Sequence, residues 1–425
     1  MNVQPLRLVR PISEPLGVYV RPGHNDHRSL LQLLSEGRSS MTGVVFDPTL
    51  ITVQEELRNE VRQRKLWAVL DTRLMELATP NGHNERRAAL PWGGPEVHRP
   101  QDLSGAAGRA ASREIVEFVA NHKFNALLIG HFLERGPEDT WLAIDLEQAH
   151  EVRRQLNIHG LDDVALYYAL ALPTSVFNDA SKRAALKDSL AGLDVDGLWL
   201  RVHPFGASSG HVTLQRFIHA CRDLHGLGFP LIVEKAGSIG LALLAFGAVS
   251  GIETGVSSGD KFDFARLKKV RDDKKKNFAP HARVYIPGLG IFLDRETAAD
   301  FFANRTLKAS FGCQNTACCR RGSQDTVSDP RRHFIFTRME EVGAINQVLP
   351  QLRPNQYLET VLRPATDRLG RVLQSNLNNE LKTRLEKERR KLDGWRDTLG
   401  EISLTQPAVT WAPTPTRRIA RRRGA

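Results

Sequence analysis

The chain has 425 residues, with 59 lysines and arginines against 48 acidic residues, which gives a net charge of +11. Hydrophobic residues make up 41% and charged residues 25% of the sequence, a balance typical of soluble globular proteins that excludes disordered and fibrous chains. Four cysteines are too few for a disulfide scaffold, no secretory signal opens the chain, and the longest apolar stretch is too short to span a membrane. We therefore expect a cytoplasmic protein.

Eight short β-rich runs alternate with longer amphipathic segments. The predicted strands cover residues 17–20, 43–46, 66–70, 126–129, 164–172, 197–202, 230–233 and 248–253. Helical patterns between them include residues 115–122, 146–156, 180–190, 214–227 and 238–246. Alternating strands and helices predict parallel pairing, and eight such units predict a closed (β/α)8 barrel of the TIM type. The alternative is an open doubly wound sheet, but no glycine fingerprint follows the first strand.

Polar side chains follow most of the predicted strands. Because active sites of these barrels lie at the carboxyl ends of the strands, these residues are the candidates for chemistry. For any one of them a structural role is the plainer interpretation: Asp47 shapes a turn before Pro48, and Arg201 and His203 pair with acids. The candidates are Arg21, His24, Asp47, Asp71, His131, Arg201, His203, Glu234, Glu253 and the loop 255–260 that contains Asp260.

Basic residues are concentrated in three places, a pattern that favours a polyanionic partner. The plainer interpretation is a solvated helix face or, for the tail, a disordered end. The first cluster lies within residues 266–276 and the second within residues 320–338. The third is the C-terminal tail, with Arg417, Arg418, Arg421, Arg422 and Arg423.

Three of the four cysteines lie within seven residues, at Cys313, Cys318 and Cys319, and His333 follows. Three thiolates and one imidazole form the tetrahedral ligand set that structural zinc prefers. The adjacent pair Cys318 and Cys319 needs a tight turn if both are to bind one ion. The alternative is a group of buried thiols that pack as small apolar side chains, with His333 held in a core.

Beyond about Gly343 the sequence changes, and apolar residues from Ala365 to Leu392 recur at helical spacing among charged residues. This pattern predicts a long amphipathic helix that packs on the barrel, on a second copy of the chain or on an accessory protein. The predicted organisation is a barrel over residues 1–300, a zinc module over 301–342, a helical extension over 343–405 and a basic tail over 406–425.

These features together resemble the tRNA-guanine transglycosylase superfamily, which includes relatives that insert 7-deazaguanine bases into DNA. The apolar strand that ends in Asp71 is similar to the family motif for a base-recognising or general-base aspartate, although the family's glycine pair is Thr72 and Arg73 here. The resemblance implies a nucleophile at the end of the last strand, where Glu253 and Asp260 are the acids, and a structural zinc ion. It also implies a nucleic-acid substrate, DNA or tRNA, and a small 7-deazaguanine base.

Two other functions remain open from the sequence. One is a non-catalytic, zinc-containing nucleic-acid-binding protein in which the barrel is only a scaffold. The other is a barrel hydrolase or lyase that acts on a small anionic substrate with His131 and His203 as acid and base. The orientation of Asp71 relative to Glu253 and Asp260 separates the transglycosylase from the scaffold.

Overall fold

A computed structural model of the chain describes residues 15–37, 40–256, 261–269, 282–405 and 411–415. Eight parallel strands form a closed barrel in chain order, and β1 pairs with β8 from Gly17 opposite Gly251 to Arg21 opposite Gly255. This confirms the predicted (β/α)8 barrel and excludes the open sheet. The strands are β1 (Gly17–Arg21), β2 (Gly43–Phe46), β3 (Trp67–Asp71), β4 (Ala126–Ile129), β5 (Ala165–Pro173), β6 (Gly197–His203), β7 (Leu231–Glu234) and β8 (Gly251–Gly255).

One main helix follows each strand up to β7. Their first turns are stabilised where the sequence supplies a capping side chain, as at Asp139 and Asp179, whose carboxylates accept hydrogen bonds from backbone N–H groups. The helices are α1 (His27–Ser35), α2 (Glu55–Gln63), α3 (Gly105–His122), α4 (Thr140–Ile158), α5 (Ala180–Leu190), α6 (His211–Leu224) and α7 (Ile239–Ala245). Short helical turns at Leu74–Leu77, Glu85–Ala88, Thr174–Phe177 and Ala265–Lys268 lie in the loops.

Large side chains fill the inside of the barrel. The ring of Trp199 lies edge-on to Tyr19, with 5.0 Å between centroids, and to Tyr167 at 5.7 Å. Alternate residues of the strands point inward, as the period of two requires, and the barrel is a packed core without a channel. This aromatic layer contacts the polar residues at the strand ends, because the indole of Trp199 donates a hydrogen bond to Glu253 at 2.9 Å.

The C-terminal part of the chain packs against the barrel. The side-chain amide of Asn346 accepts a hydrogen bond from the backbone N–H of Leu16 (2.9 Å) and donates one to its carbonyl (3.2 Å). The elements are the hairpin β9 (Val284–Ile286) and β10 (Ile291–Leu293), then α8 (Arg295–Ala303), α9 (Arg305–Phe311), α10 (Ser323–Ser328), α11 (Pro330–Asn346), α12 (Arg353–Tyr357), α13 (Arg363–Val372) and α14 (Asn379–Thr405). Residues 358–362 form a single π-helical turn between α12 and α13.

The sequence predicts one long amphipathic helix in the C-terminal part, and this prediction is wrong in one respect: the structure has two helices there. The first ends at Val372 and the second begins at Asn379. The side chain of Asn378 accepts a hydrogen bond from the backbone N–H of Leu381 (2.8 Å), which caps the second helix. Helix α14 packs on its own barrel, where the indole of Trp395 donates to the carbonyl of Ser209 at 3.0 Å.

Two smaller features complete the described part of the chain. Phe205–Gly206 and Lys261–Phe262 form a short antiparallel ladder above the barrel end. Ala412 donates a backbone hydrogen bond to the carbonyl of Gly247 (3.0 Å) and brings the C-terminal segment onto the opposite end. None of the helices within the described ranges is both long enough and apolar enough to cross a membrane.

Candidate active site and metal centre

The carboxyl ends of β1, β3 and β8 meet in a buried ion cluster. Arg21, at the end of β1, donates from Nη1 to Oδ2 of Asp71 at 2.6 Å. Its Nε and Nη2 atoms bind the two oxygens of Glu253 at 2.5 and 2.9 Å. The two carboxylates are about 1% exposed, so a single guanidinium holds both at one end of the barrel, out of water. The structure therefore brings together two of the three predicted catalytic acids.

Arg201 and Glu234 extend the cluster across the barrel mouth. Arg201 donates to Oδ2 of Asp71 and to Oε2 of Glu234, each at 2.6 Å. Lys235 binds the other oxygen of Glu234 at 3.0 Å. The pairing of Arg201 with acids agrees with its plainer interpretation from the sequence. Positive and negative side chains alternate along the cluster, so each buried charge has an opposite charge as its partner, as buried ions require.

The cluster separates the ionisation of its two candidate acids. Burial would raise the pKa of Asp71, but Arg201, Arg73 and Arg21 outweigh that effect and hold the pKa well below its usual range. Burial raises the pKa of Glu253, and the nearby Glu234 adds to this effect while Arg21 opposes it. Asp71 is thus held as an anion, whereas Glu253 is the acid that keeps a proton more readily.

Arg73 adopts a backbone conformation that favours glycine. Its φ is +60°, in the left-handed region. The strained turn is held by its own contacts, because the backbone N–H of Arg73 donates to Oδ1 of Asp71 (3.1 Å) and its guanidinium binds Asp47 (2.8 Å) and Glu76 (2.6 Å). This is one of the two positions at which the resemblance leads one to expect glycine, and an arginine adopts the left-handed conformation here. Strained residues of this kind cluster at functional sites.

Asp47 has the structural role that the sequence indicates, which is to shape the turn before Pro48. Its Oδ1 accepts a hydrogen bond from the backbone N–H of Thr49 (3.0 Å), which shapes the turn after β2. Its other oxygen binds Arg73. Asp47 thus supports the rim beside the ion cluster through Arg73.

An open cavity of about 480 Å³ lies among the loops that follow β3, β4 and β8, and its lining does not include the residues of the ion cluster. Met75, Phe132 and Phe264 contribute to its wall, and the rings of Phe132 and Phe264 stack at 3.6 Å between centroids with 9° between their planes. Lys268 lies over the face of Phe264 at 5.7 Å and pairs with Glu134. Flat apolar faces with charged groups at the margin suit a planar, polar ligand.

His131, at the end of β4, is completely buried and held by groups that the sequence did not indicate. Its Nδ1 lies 2.6 Å from Oδ1 of Asp145, and the hydroxyl of Tyr168 donates to the other oxygen of Asp145 at 3.0 Å. The imidazole stacks on Trp141, with 3.8 Å between ring centroids. Trp141 lines the open cavity and His131 does not, so the imidazole lies behind that ring.

His203, the partner proposed for His131 in a hydrolase, has a different setting. Its Nδ1 accepts a hydrogen bond from the backbone N–H of Phe264 at 3.1 Å and lies 3.6 Å from Asp263. It thereby positions the segment that carries Phe264. His131 and His203 thus do not line the cavity together as an acid and base would.

The four predicted metal ligands lie together, with all ligand atoms within 4.8 Å of one another. Nδ1 of His333 lies 3.4 Å from the sulfur of Cys318 and 3.5 Å from that of Cys319. Ligands bound at about 2.0–2.3 Å in a tetrahedron lie roughly 3.5–3.8 Å apart, so the set has nearly the spacing that zinc requires. The tight turn that the sequence demanded is present, because the carbonyl of Asn315 accepts the backbone N–H groups of both adjacent cysteines.

The surroundings also fit a bound cation. Nε2 of His333 lies 3.1 Å from the carbonyl of Tyr285, so this nitrogen donates and Nδ1 is left with a free lone pair toward the sulfurs. Arg332 holds the loop by donating to the carbonyls of Ala317 and Cys318 and by binding Glu36 at the end of α1. Cys313, Cys318, Cys319 and His333 can therefore bind a metal ion, and Arg332 connects their loop to the end of α1.

The basic clusters are only partly available to a polyanion. Arg338 is buried and stacks on Tyr285 and Phe334, with its guanidinium carbon 5.2 and 5.4 Å from their ring centres. Arg331 pairs with Asp26 at 2.6 Å, whereas Arg320 is exposed. In the other cluster Lys268 lines the open cavity, and Arg266 and Lys269 are exposed. Residues 270–276 and the arginines of the tail lie outside the described residues.

Asp260 also lies outside the described residues, so its catalytic role stays a prediction. Sequence reasoning did not identify Asp145, Tyr168, Trp141 or the stacked pair of Phe132 and Phe264 as site residues. Asp145 lies in the second turn of helix α4, where no strand-end rule could have found it. Phe132, by contrast, follows β4 directly, and its place after a barrel strand was a usable signal.

The fold defines the chain as a (β/α)8-barrel protein, and comparisons with known proteins add distant enzyme neighbours. No description of a protein family and no curated protein matches the sequence. A protein assigned as a phosphonomutase from Burkholderia cenocepacia is 14% identical, over 57% of this chain and 87% of that chain, with a TM-score of 0.33. A Penicillium canescens endo-1,4-β-xylanase is 10% identical, over 56% and 82%, with a TM-score of 0.37. An enolase protein from Sargasso Sea environmental sequencing is 11% identical, over 60% and 58%, with a TM-score of 0.29. Similarity at this level carries no information about the chemistry of this chain.

Proposed function

We propose that the protein is a base-exchange transglycosylase that replaces guanine in DNA or tRNA with a 7-deazaguanine base. The observation that carries the proposal is the pair Asp71 and Glu253, bound to the one guanidinium of Arg21 at the barrel mouth. Base exchange needs two carboxyl groups in different protonation states, one to attack the sugar and one to handle the proton of the base. The pKa of Asp71 is lowered and that of Glu253 is raised, which supports different roles for the two acids.

The hydrogen bonds suggest which acid takes which role. Both oxygens of Glu253 are engaged, by Arg21 and by the indole of Trp199 at 2.9 Å. Among the residues that the structure describes, Oδ1 of Asp71 accepts only the backbone N–H of Arg73, whereas Oδ2 carries the ion pairs. We assign the attack on the anomeric carbon to Oδ1 of Asp71 and the proton transfer to Glu253. This reverses the roles that the resemblance implies, in which the nucleophile comes from the last strand.

The reaction then runs in two displacements. Oδ1 of Asp71 forms a bond to the anomeric carbon while the glycosidic bond breaks, and the electron pair of that bond leaves with guanine, which takes a proton from Glu253. The incoming base loses a proton to Glu253, and its nitrogen displaces Asp71 from the sugar. Atoms and charges balance, and no redox partner is required. Arg21 must yield one carboxylate during this cycle, because it holds both in the closed cluster.

We place the base in the open cavity, whose lining begins at Met75, four residues after Asp71. A nucleotide flipped out of its strand is stabilised by stacking on aromatic side chains and by hydrogen bonds to its polar edge. Phe132 and Phe264 supply the faces, and Lys268 supplies a cation at the margin. The metal module contacts the end of α1 through Arg332 and Glu36, and its four ligands do not line the open cavity, so we assign it a structural role.

Replacing Asp71 with asparagine is expected to lower base exchange by at least about 100-fold, because a positioned carboxyl group contributes this much or more to such reactions. The measurement is release of labelled guanine from DNA and from tRNA when a 7-deazaguanine base is supplied. Asp47→Asn is the matched control, since Asp47 is a carboxylate on the same rim that binds Arg73 and Thr49 instead of Arg21. It should retain most of the exchange.

A second readout separates the chemical role from folding. The wild-type protein should form a covalent adduct with its substrate, trapped by denaturation. Glu253→Gln should form it about 100-fold more slowly, because guanine then leaves without its proton, whereas Asp71→Asn should form none. An adduct in Asp71→Asn but none in Glu253→Gln would reverse the two roles. Full exchange by Asp71→Asn, folded as judged by circular dichroism, would refute the transglycosylase and favour the nucleic-acid-binding scaffold.

A further inference from the structure

A second cavity, of about 500 Å³, lies between the long loop that follows β3 and the first turns of helix α3. Three carboxylates line it, those of Glu96, Asp102 and Glu114, and the described residues of its wall include no lysine or arginine. The whole chain carries a net charge of +11, so this concave surface has the opposite sign to the protein. It shares no lining residue with the open cavity.

The polar side chains of the wall have acceptors to offer to a ligand and hardly any donor. Carboxylates only accept hydrogen bonds, and Glu96 and Glu114 are exposed, with no ion pair to any residue in the described ranges. One oxygen of Asp102 caps a backbone N–H at 2.8 Å, which leaves the other available. The indole N–H of Trp92 is already engaged, because it donates to the carbonyl of Thr72 at 2.8 Å.

His98 adds an unsatisfied acceptor to the same wall. The residue is 8% exposed, and its Nδ1 has no hydrogen-bond partner among the described residues. Its ring is hydrogen-bonded to the backbone of Gly93, and Nε2 lies on that side. Burial, and after it the nearby His131, lowers the pKa of His98, so the ring is neutral at pH 7 and Nδ1 keeps a lone pair. A buried acceptor of this kind requires a donor.

This arrangement favours a ligand with several separated ammonium groups. A metal ion needs converging ligand atoms, and within the described part of the chain the cysteine–histidine set is the group that meets this condition. Ammonium groups only donate, and methylene chains between them can pack on Trp92, Leu103 and three alanines of α3. A basic peptide also brings backbone carbonyls, for which the side chains of the described wall have no free donor.

We propose that this cavity binds an aliphatic polyamine. Its ammonium groups pair with the three carboxylates, and one N–H group donates to Nδ1 of His98. The bound ligand links the loop after β3 to helix α3. That loop reaches the active-site end of the barrel, because Pro100 lines the open cavity and Trp92 binds Thr72, the neighbour of Asp71. The inference goes beyond base exchange and does not depend on it.

The test is calorimetric titration of the full-length protein with spermidine at low salt. Glu96→Gln with Glu114→Gln should weaken binding about tenfold, because each partly exposed ion pair contributes up to a factor of about five in affinity. Both glutamates are exposed, so this variant should fold as the wild type does. The control is Glu147→Gln with Glu296→Gln, two exposed glutamates whose loss changes the net charge equally and that do not line the cavity.

Each outcome decides for or against the polyamine site. Selective weakening by the cavity variant, with much weaker binding of propylamine, which has one ammonium group, supports it. No spermidine binding, or equal weakening by the cavity and control variants, overturns it. So does displacement of spermidine by an equal concentration of Mg²⁺, because charge alone then attracts cations. If a lysine-rich peptide binds and spermidine does not, the ligand is a basic protein segment, which also overturns the proposal. None of these measurements requires base exchange, so they stand if the proposed function fails.

Discussion

Replacing Arg21 with methionine should lower the free energy of unfolding by about 3–5 kcal/mol, one of the largest losses that a single change in this chain can cause. Methionine keeps much of the volume but leaves Asp71 and Glu253 buried without the guanidinium that binds both. The measurement is urea denaturation followed by circular dichroism. The double variant Arg21→Met with Glu253→Gln should lose less free energy of unfolding than the sum of its single changes. The glutamine carries no negative charge, so the loss of Arg21 leaves no unpaired charge at this position.

Arg64→Met is the matched control. Arg64 forms a single ion pair with Glu60 on the surface of helix α2, where both side chains are partly exposed. Such pairs contribute less than about 1 kcal/mol, so this variant should differ little from the wild type. If Arg21→Met were as mild as Arg64→Met, water would have to reach the cluster and the ion pairs would not be buried as described.

Purified protein should contain about one zinc ion per chain, and Cys319→Ser should remove most of it and lower the temperature of unfolding. The reason is that one ion bound by three thiolates and an imidazole would link the loop before α10 to the start of α11. The cysteines form no disulfide, so the metal is the bond that joins these ligands. Elemental analysis measures the metal, and thermal unfolding with and without a chelator measures its contribution to stability.

Cys221→Ser provides the control for zinc content. Cys221 is buried in α6, and it is not one of the four clustered ligands. This variant loses some apolar packing but should retain the full amount of zinc. A folded protein without metal, or a Cys319→Ser variant with unchanged zinc, would show that the four side chains pack as ordinary core residues.

The barrel was predictable because its strands are short apolar runs bounded by turn residues. Buried parallel strands need apolar side chains on both faces, and the run that ends in Asp71 meets this requirement from Trp67 onward. The cysteine and histidine ligands were predictable because their chemistry is specific. The break in the C-terminal helix was missed because its apolar spacing continues through Leu377, while Asn378 caps a new helix there.

The pairing within the site was not predictable. The strand-end rule placed Asp71 and Glu253 on one rim, but the stagger of the strands decides which arginine reaches both. Arg21 was recognised only as one polar residue among ten, and Asp145 was not recognised at all because it approaches His131 from a helix. Contacts between elements far apart in sequence depend on tilt and register, which local patterns do not contain.

The closure of β1 on β8 has a consequence for how the protein can be made. Gly17 leaves the ribosome long before Gly251, its partner in the barrel, so the first strand keeps one open edge for most of synthesis. The two hydrogen bonds between Leu16 and Asn346 extend this delay to the end of helix α11. A shortened gene that stops between β8 and α11 would yield a barrel whose first strand lacks its anchor, and such fragments should collect in inclusion bodies while the longer chain remains in solution.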